Sequence, residues 1–413
     1  MSATPFQFSS SSESKASDPK VFRLLVTGGV GLYLLGSLMP SVGGVSLSVA
    51  AIPLVALPLA FALIGPRRTP RHVLFACAAL FGILAYCAYF GPPPLTEYGT
   101  DKQFKLVTST LLSALCAGVI FSFDRLRMLG CVWVLMCTAL AVLTATSGEA
   151  FSAGRASVFD NNPIWLARAF ASATLFAIAL PAMGAHRMWR IAAIPLLVGL
   201  VLTGSRGPAV GLAAALAVLL IHSAPRLIGT LVGVGAAYGA FTIVPALSNT
   251  RIGQTIADPG TDGGNASRTD MWQSAWRIWR EHPSGVGIGN WSSYSGIEPF
   301  SWPHNIWLEV AAELGTAGIL ALILAVGFTF RGLVLRMKVR REYRLATALL
   351  TSEAVAVSLS GDLSARTFFF LLFLGVHLIA LSPKAEIPTT DRSEAKEARN
   401  LSGLPRPKSA WPS

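Results

Sequence analysis

The chain of 413 residues is strongly apolar, with 53% hydrophobic and only 13% charged residues and a mean hydropathy of +0.56. Soluble domains carry about 25% charged residues, so the sequence lacks the charge that a soluble surface requires. Its apolar runs have the length of about 20 residues that a membrane-spanning helix needs. The composition therefore excludes a soluble protein and predicts an all-α polytopic integral membrane protein.

Twelve apolar segments are predicted to span the membrane, and a large loop over residues 245–303 separates the ninth from the tenth. The seventh and eighth segments are short and flank the sequence GSRGP. This predicts two helices that meet in a tight polar turn, with a broken or re-entrant pair as the alternative. In chain order the predicted spans are Val21–Met39, Val45–Ile64, Val73–Phe90, Phe104–Phe121, Leu129–Thr146, Ile164–Met183, Ile191–Thr203, Ala209–Ile221, Ile228–Val244, His304–Phe330, Leu345–Leu359 and Phe368–Leu381.

The basic residues predict the orientation, because cytoplasmic loops of membrane proteins are enriched in Lys and Arg. With a cytoplasmic N-terminus, 23 of the 33 Lys and Arg residues lie on that side, 9 lie on the other, and Arg168 lies inside a span. Residues 1–20 and 382–413 are predicted to be disordered cytoplasmic tails around a membrane domain at 21–381. The net charge of +12 then follows from topology, so nucleic-acid binding is excluded.

An amphipathic helix is predicted within the large loop. Trp272, Trp276 and Trp279 recur at helical spacing with Arg277 and Arg280 between them. Tryptophan is enriched where membrane meets water, so this helix is expected to lie at the level of the lipid headgroups. Anchoring to the membrane surface explains all three tryptophans.

The sequence predicts no cofactor. The glycine run GVGIGN follows the loop helix, but no strand precedes it and no long helix follows, so a tight turn is expected and a nucleotide site is not. No DxD motif or His/Cys cluster indicates a metal site. The cysteines lie in apolar spans without CxxC spacing and are expected to be free core residues. They are Cys77, Cys87, Cys116, Cys131 and Cys137.

Several ionisable residues are predicted to gather at loop ends on the non-cytoplasmic face. Such residues are costly beside a membrane, so they indicate a function, and most of these would favour an anionic ligand. They are Arg155, Arg206, Arg268, His304, Asp362 and Arg366.

Arg206 is the most informative of the arginines, because small neighbours allow a ligand to approach closely and a guanidinium presents donors suited to phosphate. The alternative is that Arg206 caps a short helix or pairs with Asp362. Arg268 is a second candidate, with a solvated position in the first turn of a helix as its alternative. Arg155 is the weakest of the three arginines, and Asp362 is expected to orient one of them.

His304 begins the segment HNIWLEVAAELGTAG. On a continuous helix Gly315 and Gly318 would lie within about 20° and about 40° of His304, so all three would share a face that another helix approaches. Glu309 and Glu313 would point to the outer surface of the helix. A neutral imidazole accepts protons near neutral pH, which makes His304 a candidate base; the alternative is a helix cap.

These residues resemble the O-antigen ligase family, within the wider group of O-antigen ligases, polymerases and bacterial oligosaccharyltransferases. The family pattern H-[NSQ]-x9-G-x2-[GTY] is matched by His304, Asn305, Gly315 and Gly318. TGSRGPAVG resembles the family's SRG segment. The Arg-led loop helix followed by HPSGVGIGN resembles its R-x3-[LW]…NP-x-GxGxGN region, with His282 where the family has Asn. The predicted layout agrees, so the resemblance covers nearly the whole chain.

The resemblance implies a ligase of lipopolysaccharide biosynthesis at the periplasmic face of a Gram-negative inner membrane. Its donor would be O-antigen on undecaprenyl diphosphate and its acceptor lipid A-core, with membrane lipids around it. No carboxylate is placed as a covalent nucleophile, so a single displacement that inverts the anomeric centre is expected. No DxD motif or His/Cys cluster indicates a metal, so the transfer is expected to be metal-independent. The expected catalytic residues are His304, Arg206 and Arg268, and the expected substrate-binding residues are Arg155, Asn305, Asp362 and Arg366.

Other functions remain open at this point. A polymerase or a protein O-oligosaccharyltransferase would use the same chemistry on a different acceptor. A transporter of anionic substrates is the candidate from another class, but residues 21–203 and 209–381 show no repeat and the polar residues gather at one face. Arg168 and Glu353 are exceptions within the spans, and a buried structural pair between them is expected.

Overall fold

The computed structural model describes residues 20–38, 41–42, 45–46, 82, 91–120, 123–146, 156–158, 162–221 and 263–380. The ninth predicted span, all of the third except residue 82, most of the second and nearly all of the two tails lie outside these residues. Where the second span was predicted to begin, Ser41–Val42 instead pairs antiparallel with Val45–Ser46.

The rest of the described chain is mainly helical. Short 3-10 turns cover Gly36–Leu38, Leu180–Met183 and Arg187–Ala192. The α-helices are α1 (Lys20–Leu35), α2 (Glu97–Val119), α3 (Phe123–Thr146), α4 (Pro163–Ala179), α5 (Ala193–Leu202), α6 (Arg206–Leu220), α7 (Gly263–Glu281), α8 (Trp291–Ser295), α9 (Ile306–Arg336), α10 (Arg341–Ser360) and α11 (Arg366–Ala380).

Three helical segments within the described residues are long and apolar enough to cross a membrane: Asp124–Thr146, Pro163–Met183 and Ile306–Arg336. α6 and α11 are apolar but shorter. The prediction of a helical membrane protein is confirmed, whereas the count of twelve spans stays a prediction.

Helices α4, α6 and α10 pack against one another. A Cβ atom on Gly211 of α6 would lie 2.4 Å from the carbonyl oxygen of Ser352 in α10, so the glycine permits the close approach of these helices. The predicted pair of Arg168 and Glu353 is confirmed: both side chains are buried, and the arginine donates through Nε to Oε1 at 3.0 Å and also through Nη2. A buried arginine requires such a partner, so the pair links α4 to α10.

A three-residue turn joins α5 to α6, as the GSRGP sequence predicted. Gly204 has φ +63°, a left-handed conformation that glycine adopts without steric cost. The N–H of Gly204 donates to the carbonyl oxygen of Val201 at 3.0 Å. The turn places Arg206 at the first position of α6.

The helix that follows the histidine motif is broken at Gly315, which has φ +71° and ψ −167°. The N–H of Thr316 donates to the carbonyl oxygen of Pro283 at 2.8 Å, and the N–H of Gly287 donates to that of Glu313 at 3.0 Å. A break in an intramembrane helix is tolerated when neighbouring protein satisfies the freed backbone groups. The close neighbour at Gly315 is therefore a loop segment, where a second helix was predicted.

The glycine run that follows α7 is the predicted tight turn. Gly285, Gly287 and Gly289 all have positive φ, between +76° and +91°. Side chains at these positions would collide with backbone: a Cβ on Gly289 would lie 2.2 Å from Cα of Gly99, near the start of α2. The turn therefore joins the loop tightly to both α2 and α9.

The loop helix α7 packs against the protein on its apolar face. Met271 and Ile278 are buried, and Trp279 donates through Nε1 to Oγ1 of Thr316 at 3.2 Å. Trp276 remains 50% exposed. The expectation that membrane anchoring explains all the loop tryptophans was wrong, because Trp279 faces α9.

Candidate active site

His304 lies just before α9, not within it. It has φ +55° and is the one non-glycine residue with a clearly left-handed φ among the described residues. This conformation costs an L-residue about 1–2 kcal/mol and tends to persist where surrounding structure imposes it, often at functional sites. The predicted shared helical face of His304, Gly315 and Gly318 was wrong, because the helical period does not extend through His304 or Gly315.

Asn305 forms the N-cap of α9. Its Oδ1 accepts hydrogen bonds from the N–H groups of Trp307 at 3.0 Å and Leu308 at 3.2 Å. Capping satisfies backbone donors that a helix start leaves without partners. The asparagine of the histidine motif therefore determines where the helix begins and holds the neighbouring histidine at its entrance.

The imidazole of His304 is half-buried between aromatic rings. Its ring centroid lies 5.0 Å from that of Trp302 and 5.9 Å from that of Phe300. Burial lowers the pKa of His304, the positive charge of Arg268 lowers it further, and Asp362 opposes these effects. His304 is therefore neutral at neutral pH, the state in which it accepts a proton.

Arg206 and Arg268 line one small pocket. The N-terminus of the 15-residue helix α6 lies at this pocket, where the helix dipole adds partial positive charge. Two guanidinium groups and a helix N-terminus make the pocket suited to an anion. The other lining residues are Ile164, Ser205, Gly207, Pro208 and Ser360.

Asp362 lies between α10 and α11, close enough for its charge to act on His304. Its Oδ2 accepts a hydrogen bond from Oγ of Ser364 at 2.7 Å. Its Oδ1 is buried without a hydrogen-bond partner among the described residues. The structure thus places Asp362 and Arg268 near His304. Arg206 belongs to the same site because it lines one pocket together with Arg268.

Arg366 has other neighbours. Its Nη1 donates to the carbonyl oxygen of Tyr33 at 3.1 Å, and its guanidinium lies 5.5 Å from the centroid of the Tyr33 ring. It lines a different pocket, shared with Arg168 and Trp133. A substrate-binding role for Arg366 stays a prediction, as does that of Arg155, which lies outside the described residues.

A buried ion cluster was not predicted from the sequence. Nζ of Lys102 lies 2.5 Å from Oε1 of Glu309 and 2.7 Å from Oε1 of Glu313. The lysine side chain is 3% exposed and both glutamate side chains are 0% exposed. We call these three residues the Lys102 cluster.

The prediction that Glu309 and Glu313 point to the outer helix surface was wrong. They are spaced i, i+4 near the start of an apolar helix, where exposure of two carboxylates to lipid would be costly. This spacing signals that a cation must face them, and Lys102 at the edge of the predicted fourth span was available. Which cation pairs with them depends on how α2 packs against α9.

Residues 191–323 match a protein-family model described as O-antigen ligase. The matched segment includes Arg206, Arg268 and His304, whereas Asp362 and Lys102 lie outside it. No curated protein matches the chain. The family comprises membrane-embedded ligases and polymerases that handle lipid-linked glycans. The resemblance found in the histidine motif is confirmed, since residues 191–323 match the O-antigen ligase family.

Proposed function

We propose that this protein is an O-antigen ligase that transfers O-antigen polysaccharide from undecaprenyl diphosphate to lipid A-core, at the periplasmic face of the inner membrane. One arrangement within the family-matched segment supports the proposal. The half-buried His304 has a lowered pKa and lies close enough to Arg268 for the positive charge of the arginine to lower that pKa further. Arg268 in turn shares a pocket suited to an anion with Arg206. This arrangement combines a proton acceptor with cations for a diphosphate.

The arginine pocket is suited to the leaving group. Transfer breaks the bond between the anomeric carbon and the diphosphate oxygen, and negative charge develops on that oxygen. Arg206 and Arg268 donate charge-assisted hydrogen bonds to diphosphate oxygens, and the N-terminus of α6 adds its dipole. Preorganised cations in a partly dry site stabilise developing charge more than water does.

His304 acts on the acceptor. A hydroxyl oxygen of the acceptor sugar attacks the anomeric carbon while its proton passes to the neutral imidazole. Asp362 then stabilises the imidazolium that forms. One displacement inverts the anomeric configuration, and Asn305 contributes by fixing the start of α9. Arg155 and Arg366 are proposed to bind substrate.

The decisive experiment is transfer by purified protein in proteoliposomes that contain undecaprenyl-diphosphate-linked glycan and lipid A-core. We expect glycan to appear on lipid A-core, detected as a mass increase of the acceptor. Extension of the donor glycan would instead indicate a polymerase, and labelling of an added acceptor protein would indicate a protein O-oligosaccharyltransferase. Donor translocation without any transfer would indicate a transporter.

We expect transfer to continue in the presence of EDTA. Arg206 and Arg268 supply the positive charge that a divalent cation provides in metal-dependent transferases, so the diphosphate needs no further counter-ion. The measurement compares initial rates with EDTA and with the same EDTA saturated with Mg²⁺, which controls for ionic strength. A loss of activity in EDTA that a specific divalent cation restores would contradict metal independence.

A further inference from the structure

We infer that Trp302 is a positioning residue for His304, and that Tyr98 and the Lys102 cluster hold Trp302 in place. This inference rests on the proposed function, because it assigns a support to the base of that reaction. It goes beyond the histidine motif, since neither Trp302 nor the residues of α2 belong to the pattern that the motif defines.

Trp302 contacts the imidazole of His304 directly. Their ring centroids are 5.0 Å apart, with an interplanar angle of 59°. His304 has the left-handed φ of +55°, which its own backbone disfavours, so neighbouring groups must hold it there. Trp302 is the nearer of the two aromatic rings on the imidazole. It therefore both restricts the imidazole and contributes to its burial.

Tyr98 holds Trp302 from α2. The two rings are stacked, with an interplanar angle of 14° and centroids 6.3 Å apart. Nζ of Lys102 lies 5.9 Å from the centroid of the Tyr98 ring, within the range of a cation–π interaction. The imidazole of His304 thus contacts Trp302, Trp302 stacks on Tyr98, and Tyr98 lies beside the buried ammonium group of Lys102.

The Lys102 cluster fixes this assembly to the helix that His304 precedes. Lys102 donates to both carboxylate oxygens of Glu313, at 2.7 and 2.8 Å, and lies 2.5 Å from Glu309. Breaking a buried ion pair is strongly unfavourable, so the spacing between α2 and α9 is well defined. α9 begins two residues after His304.

A second set of contacts fixes the chain just before α2. Oδ1 of Asn290 accepts from the N–H of Leu95 at 2.7 Å, and its Nδ2 donates to the carbonyl oxygen of Pro93 at 2.9 Å. These bonds tie the segment before Tyr98 to the glycine turn of the loop. The chain around Tyr98 is therefore fixed on both sides: Asn290 binds the segment that precedes α2, and Lys102 is bound one helical turn after Tyr98.

The test is the pH dependence of kcat for Trp302→Leu, Trp302→Phe and wild type in the transfer assay. We expect Trp302→Leu to lower kcat by about 10- to 100-fold with little change in the donor KM, because misplacing a reacting group acts on the chemical step. Burial lowers the pKa of His304, so exposing the imidazole raises it and moves the acidic limb of kcat to higher pH. A purely structural tryptophan would not move that limb.

The other variants separate the possible causes. Trp302→Phe keeps an aromatic ring and should stay within about 3-fold of wild type, as expected if stacking positions the imidazole. Trp189→Leu is the matched control, since Trp189 is also half-buried but lies in the 3-10 turn before α5; we expect wild-type kcat and an unchanged limb. If Trp302→Leu does not fold, Tyr98→Leu removes the stacking partner and should shift the limb in the same direction.

The inference is overturned if folded Trp302→Leu keeps the kcat and acidic limb of wild type. It is also overturned if Trp302→Phe loses as much activity as Trp302→Leu, because the indole N–H, which is buried without a partner among the described residues, would then be the active group. Failure of wild type itself to transfer glycan overturns the proposed function and this inference together.

Discussion

Replacing His304 by alanine is expected to lower kcat for glycan transfer by about 100- to 10,000-fold, the usual contribution of a positioned general base. The donor should still bind, because Arg206 and Arg268 remain in their pocket. The measurement is a single-turnover rate in proteoliposomes, with donor binding determined separately by titration. We expect the transfer rate of wild type to fall at acidic pH, with a midpoint below the ordinary histidine pKa of about 6.5. If the residual activity of the variant does not show this fall, the titrating group is His304.

Two further variants control for other effects of the substitution. His304→Asn removes the imidazole but tolerates a left-handed backbone better than alanine, so it separates chemistry from backbone strain. His186→Ala removes an exposed histidine that caps a 3-10 turn through Nδ1, and should keep wild-type activity. If His304→Ala and His304→Asn both turn over within about 3-fold of wild type, His304 is not the proton acceptor.

Replacing Lys102 by methionine is expected to destabilise the protein by about 3–5 kcal/mol, the typical cost of removing one partner of a buried ion pair. Two carboxylates would remain in an environment where both are 0% exposed, without the cation that faces them. The measurement is the midpoint of thermal unfolding in detergent, followed by intrinsic fluorescence of the tryptophans. We expect the variant to unfold at a clearly lower temperature than wild type.

The neighbouring Lys105 offers a matched control, since it pairs with Asp101 at 2.5 Å but its side chain is 60% exposed. Exposed pairs contribute at most about 1 kcal/mol, so Lys105→Met should leave the midpoint nearly unchanged. Combining Lys102→Met with Glu309→Gln and Glu313→Gln removes every charge and should recover most of the loss. A midpoint for Lys102→Met equal to that of Lys105→Met would show that the cluster does not stabilise the fold.

Local sequence patterns predicted the secondary structure of much of this chain and several of its turns. The turn at GVGIGN and the turn before Arg206 were predicted from the segments that flank them, and the structure shows glycines with positive φ in both, a conformation that glycine adopts without steric cost. The pairing of Arg168 with Glu353 was predicted because the membrane interior makes an unpaired charge costly. These arguments depend on residue type and immediate surroundings, which the sequence contains.

The predicted shared face of His304, Gly315 and Gly318 was wrong because it required one uninterrupted helix. His304 lies before the N-cap of α9, and Gly315 leaves the helical conformation where Pro283 and Gly285 contact it. The motif was found correctly from its residues, and its geometry was assigned incorrectly. A glycine is compatible with both a helix crossing and a break, so its presence does not decide between them.

By itself, the sequence determined that the chain is a helical membrane protein with a family histidine motif, because apolar length and residue order are properties of the chain alone. Only the tertiary structure decided that Lys102 faces Glu313 across a sequence separation of 211 residues, and that Arg268 joins Arg206 in one pocket. Such contacts depend on which helices pack together and at what depth. Packing is a property of the whole bundle, since each helix face becomes buried only against another element.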